Sequence, residues 1–253
     1  MGGALIAGWL RKGAFSASDL IVRDLDPSAR ALAARDAGAS LNPPDAELAA
    51  ARAVLFAVKP QFWQGAASQI APHLGQEAVI ISILAGVGAH DLARAFGGRS
   101  VALAMPNTAA AIGKGATSLY ARDPEARNIA RLLFEPVGAV VDLNSEEMMH
   151  VAAAASASAP AYLYAFIEAL QSAAVAAGLS PDQARRLAAG AVTGAAALLD
   201  ETGDDPAELR RQVTSTGGTT QAALEVLLSD GGLGDLMHRA VSAAAARSRE
   251  LGR

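Results

Sequence analysis

The chain has 253 residues with 21 basic and 25 acidic side chains, a formal net charge of −4 and no cysteine. This charge balance argues against a nucleic-acid surface, and the lack of cysteine excludes a disulfide framework and a thiolate metal site. The sequence shows no charged leader followed by an apolar core and no apolar run long enough to span a bilayer. We therefore expect a cytoplasmic protein without nucleic-acid or membrane partners.

The first half of the chain alternates helical and strand patterns. Helices are predicted at residues 1–12, where Gly13 closes the helix, and at 27–37, 61–74, 89–96 and 124–134. Short apolar runs predict strands at residues 19–24, 54–58, 79–84, 101–105, 116–120 and 139–143. This alternation predicts an α/β domain with a parallel sheet, a Rossmann-type dinucleotide-binding domain, over residues 1–144.

From Ser145 onward the strand pattern ends and alanine dominates. Helices are predicted at residues 145–155, 160–178, 181–201, 206–213, 219–229 and 232–250. Because alanine contributes little apolar area, a small bundle of such helices is marginal on its own. We therefore expect residues 145–253 to form an all-α dimerisation and substrate domain that packs against a second copy of the chain.

A loop of glycines and hydroxyl residues lies between two helices of this second half. Residues 213–220 read Val-Thr-Ser-Thr-Gly-Gly-Thr-Thr, and the next helix is predicted to begin at Gly218, Thr219 or Thr220. The unpaired N–H groups and the dipole at a helix N-terminus favour an anionic ligand. From composition alone, an ordinary turn with a threonine cap is the alternative.

The string from Pro206 to Leu224, which contains this loop, closely resembles the signature of pyrroline-5-carboxylate reductases. These enzymes reduce a cyclic imine to proline, so the resemblance implies a small cyclic imino-acid substrate, NADPH or NADH as cofactor, and a homodimer or larger homo-oligomer. Thr216 stands where the family usually has proline, which predicts a softer loop. The resemblance implies that the Thr220 hydroxyl meets the ring nitrogen and is the catalytic group. It implies that the substrate carboxylate is bound by Ser215, Gly217, Gly218 and Thr219.

The N-terminus matches only the end of the glycine-rich turn that opens a dinucleotide fold. Met1, Gly2 and Gly3 correspond to its last part, and the strand before it is absent. In the strand order 3-2-1-4-5-6 that strand is central, so its absence predicts an unpaired gap within the sheet. We expect an in-frame extension of about 10–15 codons before Met1, and weak dinucleotide binding by the chain as given.

Arg23 and Asp24 end the next strand, at the corner that distinguishes NAD from NADP. A carboxylate here accepts from the ribose 2′-OH and repels a 2′-phosphate, which favours NADH. Arg23 could instead reach a phosphate, and helix capping by Asp24 and Asp26 is an equal alternative. The resemblance places further cofactor contacts after the later strands. The full cofactor set is Met1, Gly2, Arg23, Asp24, Val58, Lys59, Pro60, Ala85, Gly86, Met105, Pro106 and Asn107.

Ala157 and Ala159 stand where the family has glycine, which predicts either a strained backbone or two methyl groups crowding the nicotinamide.

Two other functions remain open. A non-catalytic or impaired dimeric scaffold that has lost cofactor binding would fit the missing strand. A β-hydroxyacid dehydrogenase-like enzyme would need a lysine in its helical domain, and no lysine follows Lys114. The four histidines show no ligand spacing, so no metal site is predicted.

Overall fold

The computed structural model describes residues 1–251 and divides into two compact units. One unit contains Met1–Ser158 together with the C-terminal segment from Ser242, and the other contains Ala159–Val241. The first unit is an α/β domain of the predicted Rossmann-type class and the second is entirely helical. The predicted domain boundary between residues 144 and 145 remains a prediction.

The first unit contains seven strands and six complete α-helices among the described residues. The strands are β1 (Ile21–Val22), β2 (Ser40–Leu41), β3 (Ala53–Phe56), β4 (Val79–Ser82), β5 (Val101–Met105), β6 (Gly115–Ala121) and β7 (Gly138–Asp142). The helices are α1 (Gly2–Lys12), α2 (Ala29–Asp36), α3 (Trp63–Ile70), α4 (Ala89–Ala95), α5 (Pro124–Phe134) and α6 (Met148–Ala152). As predicted, α1 ends at Gly13, which adopts the left-handed conformation with φ 60°.

The strands form two separate sheets. β1 pairs in parallel with β2, and the other five strands form a second sheet in the order β3-β4-β5-β6-β7. In that sheet β3, β4 and β5 are parallel, β6 is antiparallel to β5, and β7 is parallel to β6. Among residues 1–251 no strand joins β1 to β3. The division therefore falls at the gap that the sequence predicts.

The two strand edges beside this gap carry peptide groups that point away from their only neighbours. The Val22 carbonyl accepts a hydrogen bond from Asn42, just after β2, so the peptide groups of Ile21 point to the opposite side. The Phe56 carbonyl accepts from Ile83, just after β4, so those of Leu55 likewise point away from β4.

Both sheets contribute to the same two apolar clusters, one on each face. Leu20 and Leu55 pack with the cluster around Leu5 of α1, whereas Ile21 and Val54 pack with the cluster around Phe96. Every residue of β4 is buried, as expected for a strand covered by helices on both faces. The two sheets thus form one layer between shared helices, interrupted at the gap.

Helix α1 packs closely against the rest of the first unit, to which it belongs. A Cβ atom at Gly8 would collide with the Ala110 carbonyl oxygen and would lie 2.8 Å from Cγ1 of Val137. One residue further on, the Trp9 indole N–H donates to the Leu133 carbonyl at 2.6 Å. Gly8 therefore fixes how near α1 can approach the segment after β5.

Two predicted helices differ from the structure, and one short strand had no prediction. Strand β2 has no sequence prediction because two residues are too short to show an alternating pattern. The predicted helix at 61–74 is shortened to α3 with 3₁₀ turns on either side, since Pro72 has no N–H to continue the α-helical ladder. The predicted helix at 145–155 begins only at Met148 and continues as a π-helix over Ala153–Ala157.

The second unit is built from long alanine-rich helices. They are α7 (Ala159–Ala176), α8 (Pro181–Thr202), α9 (Pro206–Gln212) and α10 (Thr219–Leu227), followed by α11 (Leu233–Leu251), whose last part belongs to the first unit. Helices α7 and α8 pack together, and Ser180 caps α8 in a reciprocal box with Gln183. Among residues 1–251, no helix combines the length and apolarity that a membrane crossing needs.

Candidate active site

The predicted cofactor residues of the large sheet lie along one edge. The parallel strands β3, β4 and β5 are in register, so their carboxyl ends meet there. Val58, Lys59 and Pro60 follow β3, and Ala85 and Gly86 follow β4. Met105 is the last residue of β5, and Pro106 and Asn107 follow it. Ligands of open α/β sheets bind outside the carboxyl ends of the strands. The structure therefore brings these three segments together at such an edge.

The N-terminus of α1 lies beside this edge. A Cβ atom at Gly2 would come within 3.3 Å of the Ala57 side chain after β3, and one at Gly3 within 3.4 Å of Ser28 Oγ at the start of α2. The helix begins without a side-chain cap, and its first N–H groups have no carbonyl one turn earlier. A narrow cradle of glycine and free N–H groups fits the diphosphate of a dinucleotide.

The corner after β1 is held by Asn42. Its amide oxygen accepts from the Asp24 N–H at 2.9 Å, and its amide nitrogen donates to the Asp24 carbonyl at 2.8 Å. Asn42 has φ 50°, a positive value that no other non-glycine among residues 1–251 adopts. Helix α2 is capped by Ser28, whose hydroxyl accepts from Ala31 at 3.4 Å, so the alternative in which Asp24 and Asp26 cap this helix is wrong.

Asn107 is a buried anchor at the end of β5. Its amide oxygen accepts from the N–H groups of Ala109 at 3.2 Å and Ala116 at 3.4 Å, and its amide nitrogen donates to the Ser156 carbonyl at 3.4 Å. Asn107 thereby joins β5, the start of β6 and the π-helix. The amide nitrogen uses one of its two N–H groups for Ser156, so a cofactor contact through the other is compatible with these hydrogen bonds.

The π-helix resolves one of the two questions raised by Ala157 and Ala159. Neither alanine has a positive φ, because Ala157 lies in the π-helix and Ala159 begins α7. The expectation of a strained backbone is therefore wrong. Crowding of a nicotinamide by the two methyl groups remains a prediction.

The predicted substrate loop forms a tight turn that leads into α10. The Gly218 N–H donates to the Ser215 carbonyl at 3.0 Å, and Gly217 at the third turn position has φ 71°. A positive φ at that position alone is typical of a type II turn, in which proline is common at the second position. Thr216 occupies this second position, which explains why either residue type fits the loop.

The hydrogen bonds of this loop leave specific donors for a ligand. Gly218 is the N-cap of α10 and bears no side chain, and a Cβ there would collide with Ser215 Oγ. Because the Gly218 N–H is used within the turn, the backbone donors left at the start of α10 include those of Thr219 and Thr220, its first two residues. The hydroxyls of Ser215 and Thr220 have no partner among the hydrogen bonds of residues 1–251.

Gln221 fixes this turn and was not predicted from the sequence. Its side-chain oxygen accepts from the Gly217 N–H at 2.7 Å, and its side-chain nitrogen donates to Glu225 at 3.0 Å. A glutamine at the third position of a helix can bond back to the residues before the helix, and this signal could have revealed it. Asn42 gave a weaker signal, because asparagine is among the non-glycine residue types that most readily accept a positive φ.

The cofactor residues lie in the first unit and the loop residues 215–220 in the second. Each set is brought together within its own unit. Comparisons with known proteins match the two parts of the chain to two separate family models. Residues 146–251 match the family model "Pyrroline-5-carboxylate reductase dimerisation", and residues 1–86 match "NADP oxidoreductase coenzyme F420-dependent". The fold and these matches define a dinucleotide-type oxidoreductase with a helical dimerisation domain.

The chain belongs to the pyrroline-5-carboxylate reductase family. It is 35% identical to the pyrroline-5-carboxylate reductase of Pisum sativum over 99% of this chain and 92% of that protein. It resembles the solved structure of the Coxiella burnetii pyrroline-5-carboxylate reductase with a TM-score of 0.89 and 30% identity, over 99% of this chain and 94% of that one. A Plasmodium falciparum pyrroline carboxylate reductase solved with NADP bound shares the fold, with a TM-score of 0.83 at 24% identity over 100% and 95% of the two chains.

Proposed function

We propose that this chain reduces 1-pyrroline-5-carboxylate to L-proline with NADH or NADPH, the last step of proline biosynthesis. The observation that carries the proposal is the turn at 215–218 with the free end of α10, in a chain related over its full length to named reductases of this substrate. This family membership favours the reductase over a non-catalytic scaffold and over a β-hydroxyacid dehydrogenase.

The reduction of a cyclic imine requires positioning more than acid–base chemistry. When bound, NADH or NADPH would supply a hydride to the carbon of the protonated C=N bond, and the nitrogen would keep the former π electrons as a lone pair. The protein must hold the substrate carboxylate, orient the ring and satisfy the nitrogen. A loop without histidine or carboxylate side chains suits this task.

We infer a role for each predicted residue of the loop. The Ser215 hydroxyl and the Thr219 N–H would hold the substrate carboxylate, and the Thr220 hydroxyl would bond to the ring nitrogen. Gly217 and Gly218 would contribute through the shape of the turn, because their N–H groups already donate to Gln221 and Ser215. These roles rest on the geometry of the second unit and on the family resemblance.

The edge of the first unit would bind the cofactor. Gly2 at the start of α1 suits the diphosphate, and the segments after β3, β4 and β5 would contact the nicotinamide half. Asp24 at the ribose corner supports a preference for NADH, because a carboxylate repels a 2′-phosphate. The NADP found in the Plasmodium falciparum relative shows that the fold also accommodates NADP in other chains.

The second unit would form a homodimer or a larger homo-oligomer. Its helices expose large apolar side chains, including Tyr164 at 60%, Leu187 at 61% and Val226 at 73% exposure. Such a surface is typical of an association interface, and the match to a dimerisation family supports this use. A cytoplasmic location and the lack of nucleic-acid and membrane partners remain predictions from composition.

The direct test is oxidation of NADH or NADPH in the presence of 1-pyrroline-5-carboxylate, with proline measured as the product. We expect oxidation that depends on the imine and yields one proline per reduced cofactor consumed. A protein that binds a reduced cofactor and forms no proline would contradict the proposal and would favour the non-catalytic scaffold instead.

A further inference from the structure

Arg23 lies at the corner where the adenosine ribose of a dinucleotide would bind. A guanidinium suits a ribose 2′-phosphate, because its N–H groups match the geometry of phosphate oxygens. In the structure this group already has two acceptors. Nη1 of Arg23 donates to the Pro43 carbonyl at 2.8 Å and to Oδ1 of Asp45 at 2.7 Å. The guanidinium group that could bind the 2′-phosphate of NADPH is therefore already hydrogen-bonded to the segment after β2.

The segment that holds Arg23 is itself fixed. Asn42, with its left-handed backbone and its two hydrogen bonds to Asp24, sets the direction in which the chain enters Pro43. Asp45 begins a 3₁₀ turn, and its second carboxylate oxygen lies 3.5 Å from Nε2 of His73. The acceptors of Arg23 are thus presented by a defined turn.

We propose that Asp45 is a positioning residue for cofactor selectivity, which holds Arg23 away from the ribose 2′ position and so disfavours NADPH. This inference rests on the proposed function, in which Asp24 and Arg23 form the ribose corner. A 2′-phosphate would meet the Asp24 carboxylate and would have to share Arg23 with Asp45 and Pro43, which orient the guanidinium through Nη1. The preference for NADH over NADPH would then depend on Asp45 as well as on Asp24.

The expected size of the effect follows from the exposure of the ion pair. The side chains of Arg23 and Asp45 are 39% and 47% exposed. Exposed ion pairs are weak, so release of Arg23 should raise affinity for a 2′-phosphate about two- to fivefold. The same exposure means that replacing Asp45 should leave the fold intact.

The test uses two adenosine fragments that do not need the rest of the site. Adenosine 2′,5′-bisphosphate and 5′-AMP are titrated calorimetrically into the full chain and into Asp45→Asn, Arg23→Gln and the double variant. We expect Asp45→Asn to raise the bisphosphate affinity about two- to fivefold and to leave 5′-AMP binding unchanged. In the Arg23→Gln background the same change should have no effect, because the group to be released is gone.

Asp36→Asn is the matched control, since Asp36 is also an exposed carboxylate paired with an arginine, Arg35, at 2.7 Å. An equal gain from Asp45→Asn with and without Arg23 would show simple charge repulsion and overturn the proposal. Unchanged bisphosphate affinity in Asp45→Asn, or no binding of either fragment to any form, would overturn it too. The proposed function is checked separately by proline formation, so failure of one does not decide the other.

Discussion

Thr220 is the residue on which the proposed chemistry depends most directly. Its hydroxyl has no hydrogen-bond partner among residues 1–251, and its position at the start of α10 is fixed by the turn at Ser215–Gly218. No side chain of the loop is an acid or a base. The contribution of Thr220 should therefore appear in the chemical step and not in cofactor binding.

We predict that Thr220→Val lowers kcat/KM for the imine by the equivalent of ~1–3 kcal/mol of transition-state stabilisation, because a hydrogen bond to the reacting ring is lost. The affinity for NADH should be unchanged. Steady-state kinetics and cofactor titration measure the two quantities. Thr193→Val is the control, since the Thr193 hydroxyl bonds only within its own helix, to Ala189 and Gly190. Wild-type kinetics in Thr220→Val would remove Thr220 from the mechanism.

Gly8 is a second residue with a clear physical requirement, because α1 approaches the Ala110 carbonyl too closely for a side chain. We predict that Gly8→Ala lowers the free energy of unfolding by ~1–3 kcal/mol, the usual range for overpacking. Gly65→Ala in α3 is the matched control, since a Cβ at Gly65 meets nothing within 4 Å, and it should not destabilise. Urea denaturation measures both changes. Equal stability of the two variants would show that α1 can move aside.

At the scale of elements, the start of α5 is linked to the start of β5 through one carboxylate. Asp123 caps α5 by accepting from the Glu125 N–H at 2.9 Å, and it accepts from the Ser100 hydroxyl at 2.5 Å. The Ser100 hydrogen bond, followed by the Glu125 N–H, lowers the pKa of Asp123 below its ordinary value. The ionised form is therefore favoured by folding.

This gives a pH dependence with a defined sign. Because the folded pKa of Asp123 is depressed, its contribution to stability is present above the unfolded value near 3.8 and is lost as pH falls through the folded pKa. We predict that wild type exceeds Asp123→Asn in stability at neutral pH, and that this gap closes below about pH 4. Asparagine caps helices as well as aspartate does, so the comparison isolates the charge.

Urea denaturation between neutral and acidic pH measures this gap. Ser100→Ala, which removes the stronger donor, should reduce the same dependence. A gap between wild type and Asp123→Asn that is constant from neutral pH to pH 3 would contradict the prediction.

Most elements were predictable because their local signals agree with their burial. The strands β3, β4 and β5 show continuous apolar runs. Helices α8 and α9 begin at Ser180-Pro181 and Asp205-Pro206, as capping preferences require. Pro72 is a local signal for the end of α3. The π-helix instead depends on tertiary contacts, such as that of Asn107 with Ser156, which no local pattern encodes. The hydrogen bonds of Gln221 with the Gly217 N–H and of Asp45 with Arg23 were not predicted from the sequence, since each depends on the conformation of a turn.

At the scale of the molecule, the division of the sheet predicts a pattern of amide exchange. The Leu55 N–H points toward the gap, whereas Val54 faces β4 and Ile81 lies in a strand with neighbours on both sides. We predict that Leu55 exchanges its amide hydrogen orders of magnitude faster than Val54 and Ile81, because it has no ladder partner. Residue-resolved hydrogen exchange measures this. Equal protection of Leu55 and Ile81 would show that another segment pairs with β3.

The division of the sheet also bears on how the first unit would fold. Each strand pairs only with a strand close to it in sequence, and the widest such pairing joins Ala53 to Val79. Both sheets can therefore assemble from neighbouring segments at a small cost in loop entropy. A much longer-range contact is that of α1, where Trp9 bonds to the Leu133 carbonyl, 124 residues away. We expect the docking of this helix, which covers both sheets, to be the slow step that joins two quickly formed halves.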